Sequence, residues 1–120
     1  MSFAQRLQTI VVTTDSAGDG VGYSSENITG RVHSIRYVKT DYADGVDFTV
    51  TGKDTGTPVW AGENVNASTS VYPVVPATLA TDGTDSELTE VGVYLVNEPL
   101  KIVVANGGNG KSGSFIVTVT

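Results

Sequence analysis

The chain is dominated by side chains branched at Cβ. Val, Thr and Ile fill 40 of its 120 positions, while Leu fills five and Met one. A branched Cβ restricts χ1, which suits a pleated strand better than a helix. No window longer than about ten residues repeats apolar residues at the spacing of an amphipathic helix. These features predict an all-β fold, an antiparallel β-sandwich or jelly-roll-like arrangement in a single domain over 1–120. No linker-like shift of composition and no internal repeat divides the chain.

Strand and turn signals alternate along it. Leu7 to Thr14 reads as a first strand, closed by the turn-rich run Asp15 to Gly20, and a short extended piece covers Gly20 to Ser24. Gly30 to Thr40 is a longer strand whose apolar residues alternate imperfectly. Ile35 and Tyr37 share one face with His33, while Val32 and Val38 share the other. Mixed faces of this kind mark a strand covered on both sides or one that carries a bulge. Asp44-Gly45 tolerates positive φ and suits a tight hairpin. Val46, Phe48 and Val50 then alternate with Asp47, Thr49 and Thr51, the pattern of a half-buried strand. Thr57 to Trp60 continues the sheet after the turn Gly52 to Gly56, and Asn66 to Tyr72 is another strand, stopped by Pro73. Pro73 and Pro76 cannot donate to a ladder, so this region belongs at an edge or in a loop.

Ala77 to Glu90 is the least determined part. Asp82-Gly83-Thr84-Asp85 reads as a turn, and Asp85 or Ser86 offers a cap for a single helical turn through Val91, an option the pattern does not favour. Gly92 to Val96 is extended. Leu100, Ile102 and Val104 alternate on one strand, and Phe115, Val117 and Val119 on the next. The Gly- and Asn-rich loop Asn106 to Gly113 lies between them, which suggests a terminal antiparallel hairpin.

Thirteen acidic residues face seven basic ones, a formal charge of −6. A surface of that sign repels phosphate, and no Lys/Arg cluster offers a nucleic-acid stripe. There are no cysteines, so disulfides and cysteine-ligated metals are excluded. The N-terminus lacks the apolar region of a signal peptide, and no apolar run is long enough for a membrane-spanning helix. The expectation is a soluble chain made in the cytoplasm.

Several motifs invite a chemical reading. Ala105 to Ser112 matches a relaxed phosphate-binding loop, but that geometry needs a helix immediately afterwards, and Gly113 to Thr120 reads as a strand. His33 is the sole histidine, and no spacing joins it to a serine and an acid as a triad. Asp41, Asp44 and Asp47, like Asp15 and Asp19, could offer oxygens to calcium, though turn chemistry accounts for them without an ion. Asn27-Ile28-Thr29 and Asn66-Ala67-Ser68 match glycosylation acceptors by chance composition. Trp60 with Tyr23, Tyr37, Tyr42, Tyr72 and Tyr94 suits either a sugar-stacking platform or, preferably, core and interface packing.

The run Gly30 to Gly52, Trp60, the segment Asn64 to Ser68 ending at Tyr72-Pro73, and the tail Leu100 to Gly113 together have a familiar order. They resemble small virion structural proteins of tailed bacteriophages and prophages, over most of the chain from Leu7 onward. The resemblance implies a capsid cement or decoration protein, with a head–tail joining protein as the second role. It implies no catalytic residue and no cofactor. Its implied partners are the major capsid protein and copies of the chain itself, on the capsid surface of the virion. A carbohydrate-binding module using Trp60 and Tyr72 is the rival from another class. The residues expected at the interface are Phe3, Leu7, Trp60 and Tyr72. Phe3 and Leu7 form either an N-terminal arm over 1–7, ordered on binding, or the start of the first strand.

Overall fold

A computed structural model describes residues 6–78 and 85–120, with the backbone alone described at 76–78 and 85–89. Its strands are β1 (Arg6–Thr13), β2 (Gly20–Tyr23), β3 (Ile28–Lys39), β4 (Val46–Gly52), β5 (Pro58–Val65), β6 (Thr69–Val71), β7 (Val74–Thr78), β8 (Asp85–Gly92), β9 (Tyr94–Glu98), β10 (Leu100–Ala105) and β11 (Ser112–Val119). Among the described residues there is no helix. Every pairing is antiparallel, as expected for an all-β single domain.

Two sheets stack face to face. The first runs β1-β11-β3-β6, with β9 also paired to β3, and the second runs β2-β10-β4-β5. Period-two patterning sets their inner faces. Ile10 and Val12, Phe115 and Val117, and Val32, Ile35 and Tyr37 are buried from the first sheet. Val46, Phe48 and Val50 meet them from the second, with Leu100, Ile102 and Val104. Aromatic rings bridge the gap. Phe48 lies 4.6 Å from Tyr37 and 4.9 Å from Phe115, centroid to centroid, the latter edge-on. These are favoured aromatic separations.

β3 explains the imperfect alternation. Its register with β11 pairs Val32 with Val119 and Ser34 with Thr118, skipping His33. This bulge shifts the phase by one residue and puts Val32 on the same inner face as Ile35 and Tyr37. β9 pairs with the first part of β3 and β6 with the later part, both on the side away from β11. The ribbon β7–β8 leaves from between them, because β6 leads into β7 and β8 into β9.

Two expected hairpins are corrected. Asp44-Gly45 takes a positive φ at Gly45 (87°), yet it does not join neighbouring strands: β3 lies in the first sheet and β4 in the second. Likewise β10 and β11 do not pair; β10 joins β2 and β4, and β11 joins β1 and β3. Alternation specifies which side chains turn inward, and two successive strands with inward faces can stack across a core as well as lie side by side. Here both loops cross from sheet to sheet. The turn after β4 is a true hairpin, with β5 extending to Val65 rather than ending at Trp60. The Asn66 to Tyr72 strand shrinks to β6, because Asn66 and Ser68 bind the neighbouring loop and β3 with their side chains.

Asp85 begins strand β8 and not a helical turn; Val75 stands opposite Val91 in the ladder, and Pro76 opposite Glu90. The remainder of the Asp82-to-Asp85 turn lies outside the described residues. Leu7 sits opposite Thr118 in β1, so it is part of the sheet and not of an arm. Phe3 lies outside the described residues.

The crossing loops are tied together at one end. The Tyr42 hydroxyl donates to the Val12 carbonyl from inside the core, and burial pushes that hydroxyl's pKa well up. Its ring occupies the place a side chain would need at Gly113, so Gly113 admits no Cβ. At β2, a Cβ on Gly22 would fall 2.6 Å from Val12 Cγ2; the glycine lets the edges of the two sheets close together. Tyr37 is equally buried, but its hydroxyl has no hydrogen-bond partner among the described residues. The two tyrosines therefore predict opposite outcomes. Tyr42→Phe, which strands the Val12 carbonyl, lowers unfolding free energy by about 1–3 kcal/mol. Tyr37→Phe leaves it unchanged or slightly higher. Urea denaturation of both variants checks the contrast, and equal losses would contradict it.

Candidate interaction surface

The chemical motifs dissolve into loop structure. Ala105 ends β10, Asn106 to Lys111 form the crossing loop, and Ser112 opens β11, a strand where a phosphate-binding loop requires a helix. Three of the loop's amides are already engaged: Gly107 N–H donates to Gly18 O (2.9 Å), Gly110 N–H to Asp15 O (3.2 Å), and Lys111 N–H to the Thr14 hydroxyl (2.9 Å). They hold the crossing loop against the β1–β2 loop.

The aspartates serve the same end of the molecule. Asp15 Oδ1 accepts from the amides of Ala17 and Asp19, at 2.8 and 3.1 Å. Asp41 accepts from Ser112 N–H (2.7 Å), and Asp44 pairs with Lys39 (2.7 Å). Asp47 accepts from Asn64 N–H (2.9 Å) and from the Asn106 side-chain amide (2.7 Å). Those two bonds, the Asn64 amide foremost, hold the Asp47 carboxyl below the usual carboxylate range. Asn64 and Asn106 both adopt left-handed backbone, at φ 51° and 60°. Asn66 accepts from Gly45 N–H (2.7 Å), and Asn27 donates to Asn97 (3.1 Å), so both asparagines of the sequon-like runs have structural partners.

His33, at the bulge of β3, meets Tyr72 edge-on at 5.9 Å, and among the described residues no serine or acid bonds to it. The aromatics do not form one platform. Tyr37 and Tyr42 are buried in the core, and Trp60 on β5 is half-buried, 5.6 Å from Phe48. Tyr23 on β2 lies under Lys53, whose Nζ is 5.4 Å from the ring centre. Tyr72 and Tyr94 stand on the other side of the sandwich, beside β3. Two of the six aromatics thus face the core, in line with the preferred reading of packing over a single sugar-stacking platform.

Of the expected interface residues, Leu7 (67 % exposed) and Tyr72 (66 %) stand on the surface, whereas Trp60 turns partly into the core. The structure does not bring these three together. It adds residues outside that expected set. Val11 is 60 % exposed, on the same outer face as Leu7. Tyr94 and Val96 are exposed on β9, and Val21 on β2. A signal was available for Val11, which occupies the outward phase of a strand whose inward residues Ile10 and Val12 are apolar too.

One buried carboxylate also escaped the sequence. Glu98, at the end of β9, points under the Gly52 to Thr57 turn and accepts from the amides of Thr55 and Asp54, at 3.1 and 3.0 Å, and from the Thr55 hydroxyl at 2.9 Å. The Thr55 amide leads in holding its carboxyl below the usual range.

No protein-family model matches the chain, and no curated protein matches it.

Because Glu98 and Asp47 are both held low in the folded state, their stabilisation is complete above the ordinary carboxylate range. It is lost as pH falls through their lowered values. The thermal midpoint is therefore expected to drop on acidification below about pH 4, the unperturbed carboxylate range. Glu98→Gln is expected to be less stable at neutral pH and to lose part of that acid dependence. Thermal melts across pH check this, and an unchanged slope in the variant would contradict it.

Proposed function

We propose that this chain is a non-enzymatic virion structural protein of a tailed bacteriophage, of the capsid decoration or cement type. It binds the outside of an assembled head through contacts with the major capsid protein and with copies of itself, and it stabilises the shell. Head–tail joining is the second role. The observation that carries the reading is the set of large apolar side chains left exposed outside a sealed sandwich, among them Leu7, Val11, Val21, Tyr72, Tyr94 and Val96. Exposed apolar side chains in number on a small soluble domain favour protein partners. The resemblance of Gly30 to Gly52 and of the tail Leu100 to Gly113 to virion proteins supplies the class of partner.

The physical demands of such a role agree with the fold. A decoration protein needs a rigid module, and stacked antiparallel sheets with loops pinned by side-chain hydrogen bonds provide one. Single contacts can be weak, because many copies on a closed shell act together. A virion-displayed carbohydrate-binding module using Trp60 and Tyr72 is the less favoured reading, because Trp60 is half-buried against Phe48 while Tyr72 packs on His33 of the other sheet.

Purified virions are expected to contain the chain in many copies, located on the head by cryo-electron microscopy, and particles lacking it are expected to break at lower temperature or lower salt. Virions free of the chain would overturn the reading.

A further inference from the structure

Charge in this molecule is unevenly divided among the strands. None of the thirteen acidic residues lies on β1, β11, β3 or β6, while four of the seven basic residues do: Arg6, Arg31, Arg36 and Lys39. The second sheet carries Asp47, Glu63 and Lys101. In a chain of formal charge −6, these four strands are thus free of carboxylates, and the one acid of β9, which also pairs with β3, is the buried Glu98.

The ladder register maps the outer face of that first sheet. Leu7, Thr118 and Ser34 form one row across it; Thr9, Ile116, Arg36 and Ser70 form the next; Val11, Ser114 and Val38 form a third. Residues directly opposite in a ladder share a face. The face therefore consists of aliphatic and hydroxyl side chains around one cation. Arg6, Arg31 and Lys39 are occupied: Arg6 lies 4.0 Å from Glu26, Arg31 donates to the Thr120 hydroxyl, and Lys39 pairs with Asp44. Arg36 is exposed and has no ion pair or hydrogen bond among the described residues.

We infer that this outer face is the docking face of the protein, and that its partner is a protein surface with an apolar centre and a carboxylate opposite Arg36. The inference rests on the reading proposed above and adds which side of the sandwich meets the shell. Charge complementarity decides the partner's chemistry. A face without carboxylates does not repel an acidic surface, and a guanidinium presents a planar fork that fits a carboxylate with two parallel hydrogen bonds. A second copy docked symmetrically on the same face would set apolar rows together but leave both Arg36 side chains without a carboxylate, since the face supplies none. Nucleic acid needs several outward cations, and this face has one. Arg36 and Ile116 lie in the middle row, with Leu7, Val11 and Val38 in the rows on either side, and Arg is among the residues enriched at interfaces.

The test measures the number of copies retained on purified phage particles, with wild-type chain, Arg36→Glu, Arg36→Lys, Val11→Asp and, on the outer face of the second sheet, Thr49→Glu. All three substituted positions are at the surface, and thermal melts of the isolated variants confirm folding. Arg36→Glu and Val11→Asp are expected to lower occupancy about tenfold or more at fixed protein concentration, the scale of a lost charged or apolar contact at an interface. Arg36→Lys is expected to retain most of it, and Thr49→Glu all of it. Wild-type occupancy by folded Arg36→Glu and Val11→Asp, or loss by Thr49→Glu alone, would overturn the inference while leaving the structural role intact. Absence of the wild-type chain from particles would overturn both.

Discussion

Everything in this fold depends on the contact between two sheets through the rings of Tyr37, Phe48 and Phe115. Phe48 comes from the second sheet and the other two from the first. Stacked sheets stand about 10 Å apart, and aromatic side chains fill that gap with few residues. With the gap filled, the connections 14–19, 40–45 and 106–111 can each carry the chain from one sheet to the other at a single end. These crossings are held by polar contacts: Tyr42 to Val12, Asp41 to Ser112, Thr14 to Lys111 and Gly107 to Gly18. The loops are ordered by the core beneath them, and their hydrogen bonds in turn seal its end.

The same arrangement distributes charge. Acidic side chains suit turns because a carboxylate accepts from nearby amides, and Asp15, Asp41 and Asp47 do so at the crossing end. The strands β1, β11, β3 and β6 carry none of the acids, which among the described residues lie in the loops and on β4, β5, β8 and β9. The outer surface of the first sheet is consequently suited to another protein, while the rest of the molecule keeps the negative charge that favours solubility. A structural role at a shell surface uses both properties: an adhesive side and a side that repels further association.

Much of the architecture was legible in the sequence. The β class followed from branched side chains and the inner faces of β4, β10 and β11 from clean alternation, while the broken phase of β3 left two options of which the structure shows the bulge. Strand partners were not legible. Asp44-Gly45 and the Asn106 to Gly113 run have hairpin chemistry, and Gly45 does adopt positive φ, but local turn preference cannot tell a hairpin from a crossing between sheets. That choice depends on distant strands: β2 and β4 take both sides of β10, and β1 and β3 take both sides of β11. The proposed docking face was partly legible. Leu7 stood out as an apolar residue in polar surroundings, while Val11 and Arg36 acquired meaning only once β1 and β3 were seen to present them on one outer face. Trp60 misled, since its size suggested a contact surface and its ring leans on Phe48.

The most direct test of the account is hydroxyl-radical footprinting of the chain free in solution and bound to particles. The account predicts that Leu7 and Val11, exposed in the isolated protein, become protected on the particle while Tyr23 on the second sheet stays reactive. Undiminished labelling of Leu7 and Val11 on particles that carry the chain would contradict it.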